Sequence, residues 1–427
     1  MSATIPARTR RDVRVPGIPG KALAVIGVRR GGKTSLLHGR MAARVAEGHA
    51  RESQLLLELE DERLEGITAQ DLGWIIEEHG RRYPHVRRGG ALGGTLWLYL
   101  DEVQVVPRWE TLVHRLLNAG DVEVTVSGSS AKLLSREVAT ALRGRGMEVL
   151  VHPFSFREAL RHAGAEPANP WVHFSAAERA ALDHALQEYL RVGGFPEAQG
   201  VAVQDRVDLL TGYVDTMVLR DVIERHDVKN VRALRWLQRH ILATPGGNVS
   251  IKKLYDALRS QGIGVGKDTV YAYVGYLEDA FLVRRVSMHS ASERQRMANP
   301  EKIYPVDTGL ITIYERSGRT NHGRALETAT LLELERRGYA ASWLKTKEGW
   351  EVDFLAERVG KTPLLIQVCL DTTQSETWAR EVRALESAAA MHPDADAVLV
   401  TLDPSPPRAL PGRLQWQPAA QWLLEPA

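Results

Sequence analysis

From Lys21 to Ser155 the chain alternates strand-length apolar runs with stretches of helical period. "KALAVIG", "SQLLLELE", "GTLWLYLDE", "VEVTVSGSS" and "MEVLVHPFS" are short and rich in Val and Leu. Between them, "KTSLLHGRMAARVAEG", "TAQDLGWIIEEHGRRY", "WETLVHRLLNAG" and "AKLLSREVATALRG" repeat apolar residues every three or four positions. Thr68 and Asp71 have capping-box spacing at the start of the second of these helices. Apolar strands alternating with amphipathic helices predict a parallel sheet covered on both faces. From about Phe156 to Val228 the pattern is helical throughout, and from Lys229 to Val286 three shorter helices lead into the strand "AFLVRRV". After Thr320 the alternation returns through "RALETATLLELERRG", "ASWLKT", "WEVDFLAER", "LLIQVCL", "ETWAREVRALESAAAM" and "DAVLVTLD", which predicts a second, smaller α/β unit.

The chain has 427 residues, enough for two to four domains. Its formal net charge is +2, so a nucleic-acid surface would have to be a local patch. The single cysteine, Cys369, excludes an internal disulfide framework and a four-cysteine zinc site, and it suits a reducing cytoplasm. The N-terminal arginines are not followed by an apolar segment, so no secretory signal is expected. No apolar run approaches the ~20 residues of a membrane span. The expected setting is cytoplasmic, without a membrane partner.

The first apolar strand ends in "GVRRGGKTS", which meets the phosphate-loop pattern G-x-x-x-x-G-K-[ST] at Gly27, Gly32, Lys33 and Thr34. The glycines let backbone N–H groups close on phosphate oxygens, Lys33 reaches the β- and γ-phosphates of ATP, and Thr34 ligates Mg²⁺. Arg30, Gly31 and Ser35 complete the loop that contacts nucleotide. The third strand ends in Asp101 and Glu102. Asp101 is positioned to share the Mg²⁺ site, and Glu102 to polarise an attacking water. The second acid serves water, so the pair favours hydrolysis over transfer to another substrate.

The strings "GVRRGGKTSLL", "LYLDEVQVVPRWE", "VTVSGSSAKLL", "LRGRGMEVLVHPFSFREAL", "LRVGGFPEA" and "VLRDVIE" together resemble a prokaryotic family of AAA+-type ATPases of the archaeal and signal-transduction-like branch. The resemblance covers nearly the whole chain from about Lys21. It implies a polar sensor at the end of the fourth strand, Ser127 or Ser129. It also implies an arginine finger between the next helix and the fifth strand, at Arg145 ahead of Arg143, which would reach a neighbour's nucleotide in a homo-oligomeric ring, with a hexamer one possibility. Gly194, Phe195 and Pro196, preceded by Gly193, match the G-x-P element that packs near adenine. Glu197 stands where many lids carry a sensor arginine, and Arg220 is the alternative.

"VSIKKLYDALRSQGIGVGKDTVYAYVGYLEDAFLVRRV" resembles a winged helix. Arg284, Arg285, Arg294, Arg296 and Lys302 against Glu293 and Glu301 give a local excess of three positive charges where the wing falls, a candidate phosphate contact. Arg81, Arg82, Arg87 and Arg88 form a second cluster in a Gly-rich loop, read as a solvated one. Many members of the family carry a C-terminal domain like a restriction endonuclease. The resemblance there implies Glu327, Asp353 and Gln367 as the metal-site positions, with Cys369 where a lysine belongs. Lys345 and Lys347 are the nearby replacements, and without a lysine the domain is expected to be a degenerate nuclease.

The implied fold is α/β. It comprises an extension (1–20), a P-loop NTPase core with a parallel sheet (21–154), a helical lid (155–228), a winged helix (229–310) and a small restriction-endonuclease-like domain (320–427). The expected function is ATP hydrolysis by an oligomer coupled to remodelling of, or translocation on, DNA, including branched DNA. The alternative is a nucleotide-dependent switch acting on protein partners, with the winged helix and nuclease-like unit as binding modules.

Overall fold

The computed structural model describes residues 8–86, 95–129, 144–290, 292, 294, 299–315, 321–403 and 408–425. The chain forms two compact units, one of residues 1–152 with 279–281 and one of residues 153–278 with 282–427. The helix expected over "AKLLSREVATALRG" lies almost wholly outside the described residues.

The first unit runs β1 (Ala22–Ile26), α1 (Lys33–Ala46), β2 (Gln54–Glu58), α2 (Ala69–Arg82), β3 (Leu96–Asp101), α3 (Trp109–Ala119), β4 (Val122–Gly128) and β5 (Gly146–Leu150). Its sheet has the order β2-β3-β4-β1-β5, and every pairing is parallel. All residues of β1 and β3 are buried, which explains why neither strand alternates with polar positions. Leu36, Leu37 and Met41 of α1 pack on Leu23, Val25 and Tyr99 of the sheet. Thr68 and Asp71 form the capping box that starts α2. Because the strands are parallel, the segments following β1, β3 and β4 emerge at one edge, where Val25 pairs with Ser127 and Ile26 with Gly128.

The second unit opens with α4 (Phe156–His162), α5 (Ala176–Val192) and α6 (Val203–Thr216), which continues into a π-helical segment, Met217–Glu224. Next come α7 (Val231–Ala243), β6 (Asn248–Val249), α8 (Ile251–Ser260), α9 (Lys267–Asp279), β7 (Val283–Val286), β8 (Glu301–Pro305) and α10 (Gly309–Tyr314). The strands β6, β8 and β7 form an antiparallel sheet in that order, so helices and hairpin have a winged-helix arrangement. The chain finishes with α11 (His322–Arg336), β9 (Ala340–Lys345), β10 (Glu351–Glu357), β11 (Leu364–Cys369), α12 (Ser375–Met391), β12 (Asp396–Thr401), β13 (Gln415–Pro418) and α13 (Ala419–Leu424). The order of this mixed sheet is β13-β12-β11-β10-β9. One apolar cluster joins Phe156, Leu186 and Tyr189 of the first helices to Leu326, Leu331 and Phe354 of the C-terminal layers. The helices after Phe156 therefore share a core with the C-terminal sheet.

Candidate nucleotide site

The loop between β1 and α1 is built from backbone conformations that glycine adopts most readily. Gly27 has φ 148°, and a Cβ there would meet the Val151 carbonyl oxygen at 2.2 Å. Gly32 has φ 101° and caps α1, leaving the first N–H groups of that helix free. Arg30, a non-glycine residue, also takes a left-handed conformation at φ 62°. Lys33 is 4% exposed, and its Nζ lies 3.2 Å from the Gly27 carbonyl oxygen and 3.3 Å from that of Val28. Gly31 sits within the loop, and its carbonyl oxygen accepts a 3.0 Å hydrogen bond from Arg11, whose guanidinium also reaches the His152 carbonyl at 2.6 Å. Nothing in the sequence pattern singles out Arg11. Ser35 lies in the first turn of α1.

The two acids at the end of β3 meet this loop. Thr34 Oγ1 donates to Asp101 Oδ2 at 2.6 Å, and Ser127 Oγ donates to Asp101 Oδ1. The same Ser127 oxygen accepts the Glu102 N–H at 3.0 Å. Ser129 is also buried, but its hydroxyl has no partner among the described residues, so of the two serines it is Ser127 that joins the acids. Glu102 Oε1 lies 3.3 Å from Lys33 Nζ, and its Oε2 accepts from Gln104 Nε2 at 2.6 Å. Burial pushes the Glu102 carboxyl up, but the Lys33 ammonium and Gln104 more than reverse this and hold it below the usual glutamate range. A hydroxyl beside a carboxylate offers the hard oxygen donors that Mg²⁺ takes, and a carboxylate beside a lysine faces the same opening.

Residues 19–160 match the AAA domain family, and residues 183–318 match a domain of unknown function, DUF8612. An uncharacterized protein of Methanocaldococcus jannaschii is 31% identical over 382 residues, spanning 88% of this chain and 81% of its own. The chain belongs to the AAA+ family of P-loop proteins. A second relative of this AAA+ protein, an uncharacterized protein of Haemophilus influenzae, is 27% identical over 352 residues, 82% of this chain and 83% of its own. Among solved structures, the ADP form of the Aeropyrum pernix ORC2 protein aligns over 74% of this chain and 88% of its own at 14% identity and a TM-score of 0.34. The Aeropyrum pernix ORC1 protein in complex with DNA aligns over 69% and 86% at 14% identity and a TM-score of 0.28. Likenesses at these scores carry no argument about mechanism.

The remaining AAA+ positions divide between the two units. Arg145 is exposed and donates to Asn118 at the end of α3. It immediately precedes β5, whose first residue pairs with Ala22 while its last pairs with Ile26. Arg145 is therefore at the opposite end of the sheet from the loop, roughly 15 Å away at the rise of a strand. Arg143 lies outside the described residues. Gly193, Gly194, Phe195 and Pro196 belong to the second unit. There Asp307, missed in the sequence, accepts the Gly194 N–H at 2.6 Å and the Gly309 N–H at 2.9 Å. A Cβ at Gly193, where φ is 82°, would sit 1.8 Å from Asp307 Oδ1. Glu197 bonds Tyr213, and Arg220 pairs with Glu224 at 3.8 Å on the π-helical segment.

The basic edge of the winged helix needs correction. Arg284 pairs with Glu335 at 2.9 Å, and Arg285 pairs with Glu301 at 2.6 Å and Glu278 at 3.3 Å. Both guanidinium groups are half-buried and committed to carboxylates, so neither is offered to phosphate. Arg294 is exposed, whereas Arg296, Arg87 and Arg88 lie outside the described residues. Solvent-facing cations of this module include Lys252, paired with Asp256 at 2.7 Å, and Lys253 on α8, Arg259 at its end and Lys267 at the start of α9.

Lys302, counted in the wing by sequence, is 2% exposed and lies in the C-terminal acid cluster. Its Nζ is 3.2 Å from Glu327, 3.1 Å from Asp353 and 2.9 Å from Glu351. A lysine from β8 thus stands between Glu327 and Asp353, while Lys345 and Lys347 are exposed. Asp353 sits at a register shift of β10, which re-aims its side chain. Gln367 accepts the Asp353 N–H at 3.3 Å and donates to Glu381 at 2.7 Å. Burial and the neighbouring Asp353 raise the Glu327 carboxyl to about 7, against the pull of Lys302. Among the described residues no group of three or more His, Cys, Asp or Glu is placed to hold a metal ion. No described helix is long and apolar enough to cross a membrane.

Proposed function

We propose that this AAA+ protein is an oligomeric ATPase whose turnover is coupled to DNA held on the winged-helix module. The observation that carries the hydrolytic part is the meeting of Lys33 with Glu102 and of Thr34 with Asp101 across the mouth of one loop. Lys33 and the free N–H groups at the start of α1 bind the β- and γ-phosphates of ATP. Thr34 and Asp101 would hold Mg²⁺, which supplies charge neutralisation on the phosphates when bound. Glu102 exchanges its contact with Lys33 for one with water, accepts a proton from it and so raises its nucleophilicity. Ser127 keeps both acids in register through Asp101 Oδ1 and the Glu102 N–H.

The DNA part rests on the exposed cations of α8 and α9 and on Arg294. The inward turn of Arg284 and Arg285 favours a second reading, in which the module docks protein and nucleotide acts as a switch. ATP turnover measured with no DNA and with single-stranded, duplex and four-way DNA separates the two. In the motor reading at least one DNA raises the rate; a rate indifferent to all of them leaves the switch. Lys33→Ala loses nucleotide binding. Glu102→Gln binds ATP and turns it over at least ~10²-fold more slowly, the lower range for removal of a general base. A Glu102→Gln rate equal to wild type removes Glu102 from its role.

A further inference from the structure

Gln104 follows the acid pair by two residues and belongs to no part of the phosphate-loop pattern. Its Nε2 holds one Glu102 oxygen at 2.6 Å while Lys33 faces the other at 3.3 Å. Its own Oε1 is closed off from solvent and has no hydrogen-bond partner among the described residues. The carboxamide thus spends its one described hydrogen bond on Glu102. The backbone points the same way. Glu102 is a non-glycine residue at φ 52°, tied by its N–H to Ser127 and followed by the fully buried Val103. Strained conformations of this kind persist where the surroundings fix them, and they gather at functional sites.

We propose that Gln104 is the positioning residue for Glu102: its carboxamide holds one carboxylate oxygen so that the other, released by Lys33, meets the attacking water. The proposal rests on the ATPase reading. Water donates one hydrogen to Glu102, leaving a lone pair of its oxygen for the γ-phosphorus. As the new P–O bond forms, the bond from the γ-phosphorus to the bridging oxygen breaks, and its electron pair leaves with ADP. The proton passes from water to the Glu102 carboxylate, and Gln104 keeps its amide hydrogens throughout. Before nucleotide arrives, the same carboxamide keeps Glu102 turned to Lys33.

The test measures kcat and KM for ATP in the full chain. It compares wild type, Gln104→Ala, Gln104→Glu, Glu102→Gln and the Glu102→Gln/Gln104→Ala double variant, each checked for folding by thermal unfolding. Gln104→Ala is expected to lower kcat by ~10- to 10²-fold, the scale of a misplaced reacting group. Its KM stays close to wild type, because the loop that binds phosphate is untouched. Gln104→Glu, nearly isosteric, replaces the donor by a like charge that pushes the Glu102 carboxylate away, lowers kcat on the same scale with KM near wild type, and carries the test if the alanine variant does not fold. The double variant loses no more than Glu102→Gln alone. A folded Gln104→Ala or Gln104→Glu with wild-type kcat, beside an inactive Glu102→Gln, overturns the proposal and leaves the ATPase reading standing. Wild-type turnover by Glu102→Gln overturns the ATPase reading and Gln104 with it.

Discussion

At the scale of single residues, the second unit depends on a buried carboxyl that the sequence does not advertise. Asp307 fixes the Gly193–Gly194 turn through the Gly194 N–H and reaches Gly309 with its other oxygen. Burial raises it from 3.8 to about 6, although both N–H donors favour the ionised form. A folded-state value above the unfolded one means that the folded chain holds its proton more tightly. This contribution is therefore complete below about pH 3.8 and is lost as pH rises through about 6. Asp307→Asn cannot titrate, and its amide turns a donor toward a backbone N–H, so the variant is less stable at every pH. The gap between wild type and variant is expected to narrow by up to about 3 kcal/mol as pH rises through that window. Urea unfolding at a series of pH values reads it, and a gap that stays constant removes Asp307 from the account.

Among the elements, the wing hairpin separates cations that hold the fold from cations free to meet a ligand. Arg284 gives its charge to Glu335, so Arg284→Ala removes a half-buried, hydrogen-bonded ion pair and is expected to cost roughly 1–3 kcal/mol of stability. It is not expected to alter the salt dependence of DNA binding. Arg294 is exposed, and Arg294→Ala is expected to flatten the slope of log affinity against log salt on duplex DNA by about 0.9, the value of one phosphate contact. Equal slopes in wild type and Arg294→Ala, or a flattened slope in Arg284→Ala, would reverse this division. The same elements set how much the sequence revealed. The phosphate loop and the acids at the end of β3 were readable because each is a contiguous string at the end of an apolar strand. The ion pairs were not: Lys302 lies 25 residues from Glu327 and 51 from Asp353, and only the hairpin brings them together. Period alone also misses β13, whose sequence "QWQP" has no strand signature, and the π-helical segment, whose "MVLRDVIE" reads as ordinary helix.

For the whole molecule, the parallel sheet decides where an arginine can act. Lys33 and Glu102 stand at the edge where the strands end, and Arg145 stands at the edge where β5 begins. No side-chain rearrangement spans roughly 15 Å, so Arg145 cannot touch nucleotide bound by its own chain. If it takes part in turnover, as the proposed oligomer requires, it does so at the site of a second copy. Arg145→Ala is then expected to leave ATP affinity nearly intact and to cut turnover. Arginines supplied in trans contribute ~10³–10⁵ where they are the main source of charge, and less is expected beside Glu102. Lys33→Ala subunits keep Arg145 but bind no nucleotide, whereas Arg145→Ala subunits bind it but offer no arginine. Mixing two inactive proteins should therefore restore part of the activity at interfaces where a Lys33→Ala chain serves its neighbour. Specific activity measured against protein concentration gives the second half of the test, since a shared site is lost on dilution. A wild-type rate per chain that does not change with dilution down to the monomer, with no recovery in the mixture, would make this a single-chain ATPase and return Arg145 to the surface.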